Sequence, residues 1–459
     1  MGERVAARPL DWRFYLYNTL LLLASPLLLL YLLYRMVIKG KSRQGFSARL
    51  GSIPPEAAEL ASHNDPVFWF QACSVGEVAA VQPIIHAVRE REPLAHIVLS
   101  TTTPTGREMA LKRELELDAL IYFPFDIPFC IRRVINGMKP DILVMVDTEL
   151  WPNIVAIARS AGLVTALVNG RISDKAYPRD RMAAPLMAWT LSNFSAIMAQ
   201  SPKDAERFIS PGAAPEQVST LGNCKFDEPM PDVSAAEANK LRLELGLAPE
   251  APILVAGSTR DGEDEKVLEA YDLLRQDHRD LQLVIAPRHP ERGDAIERLV
   301  TERGYAAYRR SRAIQDTEAE RARVASGQVR VVILDTIGEL TRVYALATVV
   351  FVGGSLVRWG GHNILQPIAL GKPTLMGPWM HNFQDITDIA LGEQAAVQVF
   401  SAEQLAEKAG AILASPAEQE LLAARGAAML QRHGGASARY AEALVALLRE
   451  ARGETGAPS

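Results

Sequence analysis

A rhythm of short apolar runs separated by helical patterns, completed once and then begun again, sets the limits on how this chain folds. The first series is Val67–Ala72, His96–Ser100, Leu120–Pro124, Ile142–Val146, Val164–Val168 and Ala196–Gln200. The second is Ile253–Ala256, Leu283–Ala286, Val331–Leu334, Val349–Val352 and Pro373–Met376. Strands alternating with helices predict a parallel sheet covered by helices on both faces. Two such series predict an α/β chain of two doubly wound, Rossmann-like domains, with a cleft between the carboxyl ends of both sheets. The polar, proline-containing stretch Asp227–Ala236 is the expected hinge. We expect an N-terminal segment at 1–48, a first domain at 49–230, and a second at 231–452. The second is expected to take in closing helices at Leu405–Leu413 and Ser437–Leu448, with a disordered tail at 453–459.

Within the second series, Thr348–Pro378 is the stretch with most chemical promise. The buried run Val349–Val352 breaks at Gly353-Gly354-Ser355, Gly360-Gly361 follow, and Asn363–Leu370 reads as helical before the next strand. A strand, a glycine loop and a helix N-terminus form an anion site, because bare backbone N–H groups and the helix dipole share one focus. Glycines alone fit an ordinary βα turn equally well. His362-Asn363 beside them supply polar groups where a nucleotide would be gripped.

The totals exclude several classes. A net charge of -5 argues against a nucleic-acid binder that works by neutralising phosphates. The three cysteines, Cys73, Cys130 and Cys224, have no metal-ligand spacing, and the odd count suits a reducing compartment. The eight histidines contain no HxxxH or HxH cluster, so no metal site is expected.

Near the N-terminus, Phe14–Tyr34 carries no charge and is bracketed by Arg13 and Arg35. About twenty apolar residues span a bilayer core as a helix. A cleaved signal peptide is the competing reading, but its apolar core is shorter and a small-residue cleavage site should follow. Arg35, Lys39, Lys41, Arg43 and Arg49 come after the segment with no acid before Glu56, which places the body of the chain on the cytoplasmic side. Pro26 leaves open a bent or re-entrant helix that only dips into the membrane.

Ligands bind beyond strand carboxyl ends in such folds, which yields a short list of candidates. Glu77 follows the first strand in Cys73-Ser74-Val75-Gly76-Glu77; it suits a base, and equally an acid that merely favours the helix dipole. Asp147 and Glu149 follow the fourth strand, where one carboxylate would act as general base and another would hold a sugar hydroxyl or stabilise charge. Asn169-Gly170-Arg171 ends the fifth, and Lys225 stands beside the hinge. In the second half Gly257-Ser258-Thr259-Arg260 and Pro287-Arg288-His289 end strands, and the guanidinium fork of Arg288 suits a phosphate or an interdomain ion pair. Asp335–Leu340 reads as a plain capping segment.

Together these segments resemble the 3-deoxy-D-manno-octulosonic acid (Kdo) transferases, which are GT-B glycosyltransferases. The resemblance rests on SVGE at 74–77, STTTPTG at 100–106, TELWPN at 148–153, NGRIS at 169–173 and KFD at 225–227. It continues through GSTRDGEDE at 257–265, PRHPER at 287–292, DTIGEL at 335–340, FVGGSLVRWGGHN at 351–363, LMGP at 375–378 and NFQDI at 382–386. The resemblance implies transfer of Kdo from CMP-Kdo, with no other cofactor, to a lipid A precursor at the cytoplasmic face of the inner membrane of Gram-negative bacteria. It implies that Glu77 is the base, that Asp147 and Lys225 stabilise the transition state, and that no metal takes part. It places the CMP contacts on Pro287 and Arg288, on Ile337, Gly338 and Glu339, and on Asn363, Ile364, Leu365 and Gln366.

Two positions depart from the family pattern. Asp147 stands where the family has the first glutamate of an ETELWPN-like string, and Gln366 stands where it has the glutamate of HNPLE. A glutamine still accepts a hydrogen bond from a ribose hydroxyl but without charge, a loss on the order of 1 kcal/mol in donor binding. These departures motivate a second reading, a divergent transferase using a related acid sugar or another acceptor. A catalytically idle CMP- and lipid-binding relative is the third.

Overall fold

The computed structural model describes residues 7–37, 45–113, 115–174, 176–177, 183–313 and 330–454. Each predicted series of runs forms one sheet. The first sheet holds β1 (Val67–Gln71), β2 (His96–Thr101), β3 (Ala119–Tyr122), β4 (Ile142–Val146), β5 (Val164–Gly170), β6 (Ala196–Ala199) and β7 (Val218–Thr220). Its order is β3-β2-β1-β4-β5-β6-β7. The second holds β8 (Ile253–Thr259), β9 (Gln282–Pro287), β10 (Ala306–Arg309), β11 (Arg330–Ile333), β12 (Val349–Val352), β13 (Thr374–Met376) and β14 (Val397–Gln398). Its order is β10-β11-β9-β8-β12-β13-β14, and the strand pairs of both sheets are parallel.

The central strands are buried along their whole length, as sheets covered on both faces require, and this is why they read as unbroken apolar runs. Three edge strands have no such signal. β7 is Val-Ser-Thr with two exposed residues, β10 is Ala-Ala-Tyr-Arg, and β14 is two half-buried residues. An edge strand meets a neighbour on one side only, so a weak apolar pattern suffices there.

By its contacts the chain divides into two compact units, one of Met1–Glu228 with His433–Ser459 and one of Pro229–Arg432. This corrects the expected position of the last closing helix. Ala436–Ala451 lies in the first unit, where Tyr440, Ala441, Leu444 and Leu448 share a core with Val81, Ile84 and Val88 of the helix Val75–Arg91. Asp227 fixes its start by accepting from the Gly435 and Ser437 N–H groups, both at 2.6 Å. The Tyr440 hydroxyl donates to the Gly222 carbonyl at 2.7 Å. The other closing helix, Ala402–Ala414, packs in the core of the second unit, and a further helix, Pro416–His433, follows it. Most of the tail expected to be disordered, from 455 onward, lies outside the described residues.

The N-terminal segment is a helix, Trp12–Val37, with Pro26 inside it. The expected bilayer span needs correction: among the described residues no helix is long and apolar enough to cross a membrane. The start of the helix is docked on the first unit instead. Phe14 is buried in that core, Asn18 and Asn153 exchange side-chain hydrogen bonds at 2.8 and 3.0 Å, and Tyr17 meets the Trp189 ring at 5.9 Å. The basic residues Lys39, Lys41 and Arg43 lie outside the described residues.

Candidate active site

In each sheet the strand order turns back beside its first strand, at β1/β4 and at β8/β12. A crevice opens at such a point beyond the carboxyl ends. In the first unit, Glu77 lies in the opening turn of the helix Val75–Arg91, just past β1, while Asp147 and Glu149 follow β4. The three acids share one electrostatic environment. Glu77 accepts from the Cys73 N–H at 2.6 Å and from the Ser74 hydroxyl at 2.8 Å. Glu149 accepts from the Trp151 indole at 2.7 Å and from Gln71 Nε2 at 3.2 Å. Burial and then the charges of Glu149 and Asp147 push the Glu77 carboxyl up to about 7, against the opposing pull of its two donors. Glu149 is raised as well, chiefly by burial. A carboxyl near 7 exchanges protons at neutral pH, which a general base must do.

Asp147 is held by its backbone and its neighbours. It has a left-handed φ of 58°, and Asn169, at the end of the adjacent β5, has 53°. Non-glycine residues in this region are uncommon and persist where surrounding contacts fix them. Here Asn169 Nδ2 donates to Asp147 Oδ1, and Asn169 Oδ1 accepts from the Cys224 N–H at 3.1 Å. Gln200 donates to the Asn169 carbonyl at 2.9 Å. This network carries the position of Asp147 to the short turn Cys224–Asp227, which holds Lys225 and whose start is capped by Asn223. Asn169 was legible as a strand-end residue; the roles of Gln71 and Gln200 were not, because each depends on contacts between residues far apart in the chain.

The second unit corrects the reading of the glycine loop. The Gly354, Ser355 and Leu356 N–H groups all point at one anion, and that anion is the chain's own Glu263, at 2.5, 2.9 and 2.7 Å. Glu263 is fully buried and also accepts from the Arg260 N–H at 2.9 Å. The glycines are required here by close approach: a Cβ on Gly353 would lie 2.7 Å from the Thr259 Cα. The helix that follows is Leu365–Ala369, shorter than expected, and its first N–H is taken by Asn363 Oδ1 at 3.0 Å. So these amides serve the fold.

Positive charge gathers beside the loop instead. Arg260 stacks on the Trp359 ring at 4.9 Å, meets His289 Nε2 at 2.7 Å, and donates from Nε to His362 Nε2 at 3.4 Å. Burial, then Arg260, Arg288 and His289, push the His362 imidazolium down to about 4, so the ring is neutral at pH 7. Because Nε2 accepts from Arg260, the ring proton sits on Nδ1. Pro287 ends β9 in the core, and Arg288 beside it is exposed. Ile337 is 82% exposed, and Gly338 turns the chain at a φ of 95°. Glu339 is held by Arg310 at 2.9 Å and by Thr336; burial pushes its carboxyl up, but these donors draw it below its usual range. Ile364 and Leu365 are buried, and Gln366 is half-buried on the short helix.

Two clusters among the described residues bring three potential metal ligands within 4.8 Å of one another: Cys73, Glu77 and Glu149, and His63, Asp65 and His96. In the first, the carboxylate oxygens are already engaged as described, and the Cys73 thiol is pushed up to about 11 by burial and then by Glu149. The second lies at the other end of the sheet. Spacing alone could not find either, since Glu149 joins Cys73 and Glu77, and His96 joins His63 and Asp65, only through strand pairing.

Comparison with known proteins places this architecture. The family model for the 3-deoxy-D-manno-octulosonic-acid transferases (kdotransferase) matches residues 44–228. The chain is 31% identical to the 3-deoxy-D-manno-octulosonic acid transferase of Haemophilus influenzae, over 94% of this chain and 98% of that one. It is also 31% identical to the transferase of the same name from Bordetella pertussis, over 92% and 96% of the two chains. A glycosyltransferase structure from Rickettsia africae, 12% identical, superposes with a TM-score of 0.56 over 85% of this chain and 99% of that one. It supports the fold, two α/β domains of the GT-B class. The chain therefore belongs to the 3-deoxy-D-manno-octulosonic acid transferase family of glycosyltransferases.

Proposed function

We propose that this protein transfers Kdo from CMP-Kdo to a lipid A precursor in lipopolysaccharide synthesis, with inversion at the anomeric carbon and without a metal. The observation that carries the reading is Glu77, a half-buried carboxyl raised to about 7 by burial and by Glu149 and Asp147 at the turning point of the first sheet. In the reaction the acceptor hydroxyl oxygen attacks the anomeric carbon and its proton passes to Glu77. The bond to the CMP phosphate breaks, and its electron pair leaves on the phosphate oxygen. One phosphate carries less charge than a pyrophosphate, so Lys225, Arg288 and backbone N–H groups suffice to neutralise it. Asp147 stabilises the developing positive charge on the sugar. The donor pocket takes in Pro287, Arg288, Ile337, Gly338, Glu339, Asn363, Ile364, Leu365 and Gln366, with the Gln366 carbonyl accepting from the ribose.

Because the acceptor is a lipid, the site works at the cytoplasmic face of the inner membrane. Exposed leucines along the N-terminal helix, Leu22 at 72%, Leu23 at 73% and Leu27 at 73%, support contact with that surface. The experiment is incubation of purified protein with CMP-Kdo and a lipid A precursor, reading CMP release and Kdo-lipid product. Transfer by wild type that is lost in Glu77→Gln is expected. No transfer with this pair rejects the substrate assignment and favours a related acid sugar or an idle binding protein. Asp147 and Gln366, where the family has glutamates, are the reason to run the related donors beside CMP-Kdo.

A further inference from the structure

We propose that His63, Asp65 and His96 form a binding site for a divalent cation of the zinc type at the amino end of the first sheet, independent of the transfer reaction. The fold creates the juxtaposition. β1 and β2 pair with Val67 opposite His96, so the turn leading into β1 runs past the first residue of β2. That turn carries His63 and Asp65 and is pinned by the His63 N–H on the Leu60 carbonyl at 3.1 Å. The His63 and His96 rings stand 4.7 Å apart, and one ligand atom from each of the three residues lies within 4.8 Å of the others. Tetrahedral ligands on bonds of about 2.1 Å sit roughly 3.4 Å apart, so small side-chain rotations close the site.

A second, independent observation points to a ligand. His96 Nδ1 meets Asp118 Oδ1 at 3.1 Å, and Asp118 also accepts from the Ile97 N–H at 2.7 Å and pairs with Arg89. A carboxylate only accepts, so Nδ1 carries the proton and Nε2 presents its lone pair. That Nε2 is buried and has no hydrogen-bond partner among the described residues. A histidine whose far nitrogen is fixed by a carboxylate, with its near nitrogen bare, is the arrangement that holds imidazole on zinc. Two nitrogens and one carboxylate oxygen suit zinc, cobalt or nickel better than calcium or magnesium, which prefer all-oxygen sets. Water completes the coordination. The bound cation would tie the turn before β1 to the start of β2, some distance along β1 from Glu77.

The test uses the full chain, free of any polyhistidine tag and stripped of metal, titrated with zinc chloride by calorimetry and with cobalt chloride by visible absorption. One cation per chain is expected, with a tetrahedral cobalt spectrum. His63→Ala, at an exposed position, should weaken binding by about 10-fold or more, and Asp118→Asn by about 10- to 100-fold. Cys73→Ser should leave binding unchanged. Absence of binding overturns the proposal, as does binding that survives both His63→Ala and His96→Gln or that is lost in Cys73→Ser.

Discussion

The strand-end loops of the two units solve opposite electrostatic problems. In the second unit a buried carboxylate, Glu263, is met by four backbone N–H groups from two loops, among them the Gly354, Ser355 and Leu356 N–H groups of the turn after β12. In the first unit Glu77 and Glu149 are also substantially buried, but each has fewer donors and they repel each other, with Asp147 adding to the repulsion. The same residue type, glutamate after a central strand, is structural in one place and chemically poised in the other. The number of N–H groups aimed at the carboxylate and the sign of its neighbours decide which. Burial raises both carboxyls, but four N–H donors oppose it at Glu263, whereas at Glu77 fewer donors oppose it and like charges add to it, up to about 7.

The largest predicted effect follows on the poised side. Glu77→Gln should lower transfer by about 10²–10⁴-fold in a CMP-release assay, with the circular dichroism spectrum unchanged. Activity near wild type would break the comparison at its root. On the satisfied side, Glu263→Gln keeps the volume but loses the charge that organises both loops. A destabilisation of about 2–3 kcal/mol is expected, from the strength of hydrogen bonds to charged groups. It should appear as a drop of roughly 4–12 °C in the melting transition of that unit. An unchanged melting profile would mean that the loop does not depend on its internal anion.

A third measurement sharpens the contrast through pH. A base must be ionised, so kcat/KM should rise with pH through the Glu77 value of about 7 and level off above it. Glu149→Gln removes a like charge, favours the Glu77 carboxylate, and should move that rise to lower pH. A shift in the other direction would contradict the assigned coupling. The smallest effect belongs to the donor side. Gln366→Glu should tighten CMP binding by about 1 kcal/mol, read by calorimetry, and an equal or weaker affinity would reject the ribose contact.

Much of this was legible in the residues. The central strands of both sheets were apparent because burial on two faces leaves no room for polar positions, and their ends then placed Glu77, Asp147, Glu149 and Arg288. The edge strands β7, β10 and β14 were hidden because one-sided pairing imposes little pattern. The glycine loop was read as open to an external anion because its local sequence is the same whether the anion is a ligand or a distant side chain. Glu263 lies far upstream, and only the pairing of β8 with β12 brings it under the loop.

The sequence alone therefore determined what depends on short-range pattern: two parallel α/β domains, the strand ends, and the ordered motifs that mark the family. The tertiary structure decided what depends on partners far apart in the chain. It gave the last helix to the first unit through Asp227 and Tyr440, filled the glycine loop with Glu263, and surrounded Glu77 with like charge. It also brought His63 and Asp65 to His96. The physical reason is common to all four. Strand periodicity is written in neighbouring residues, whereas the protonation and ligand affinity of a side chain are set by what stands within a few ångströms in space.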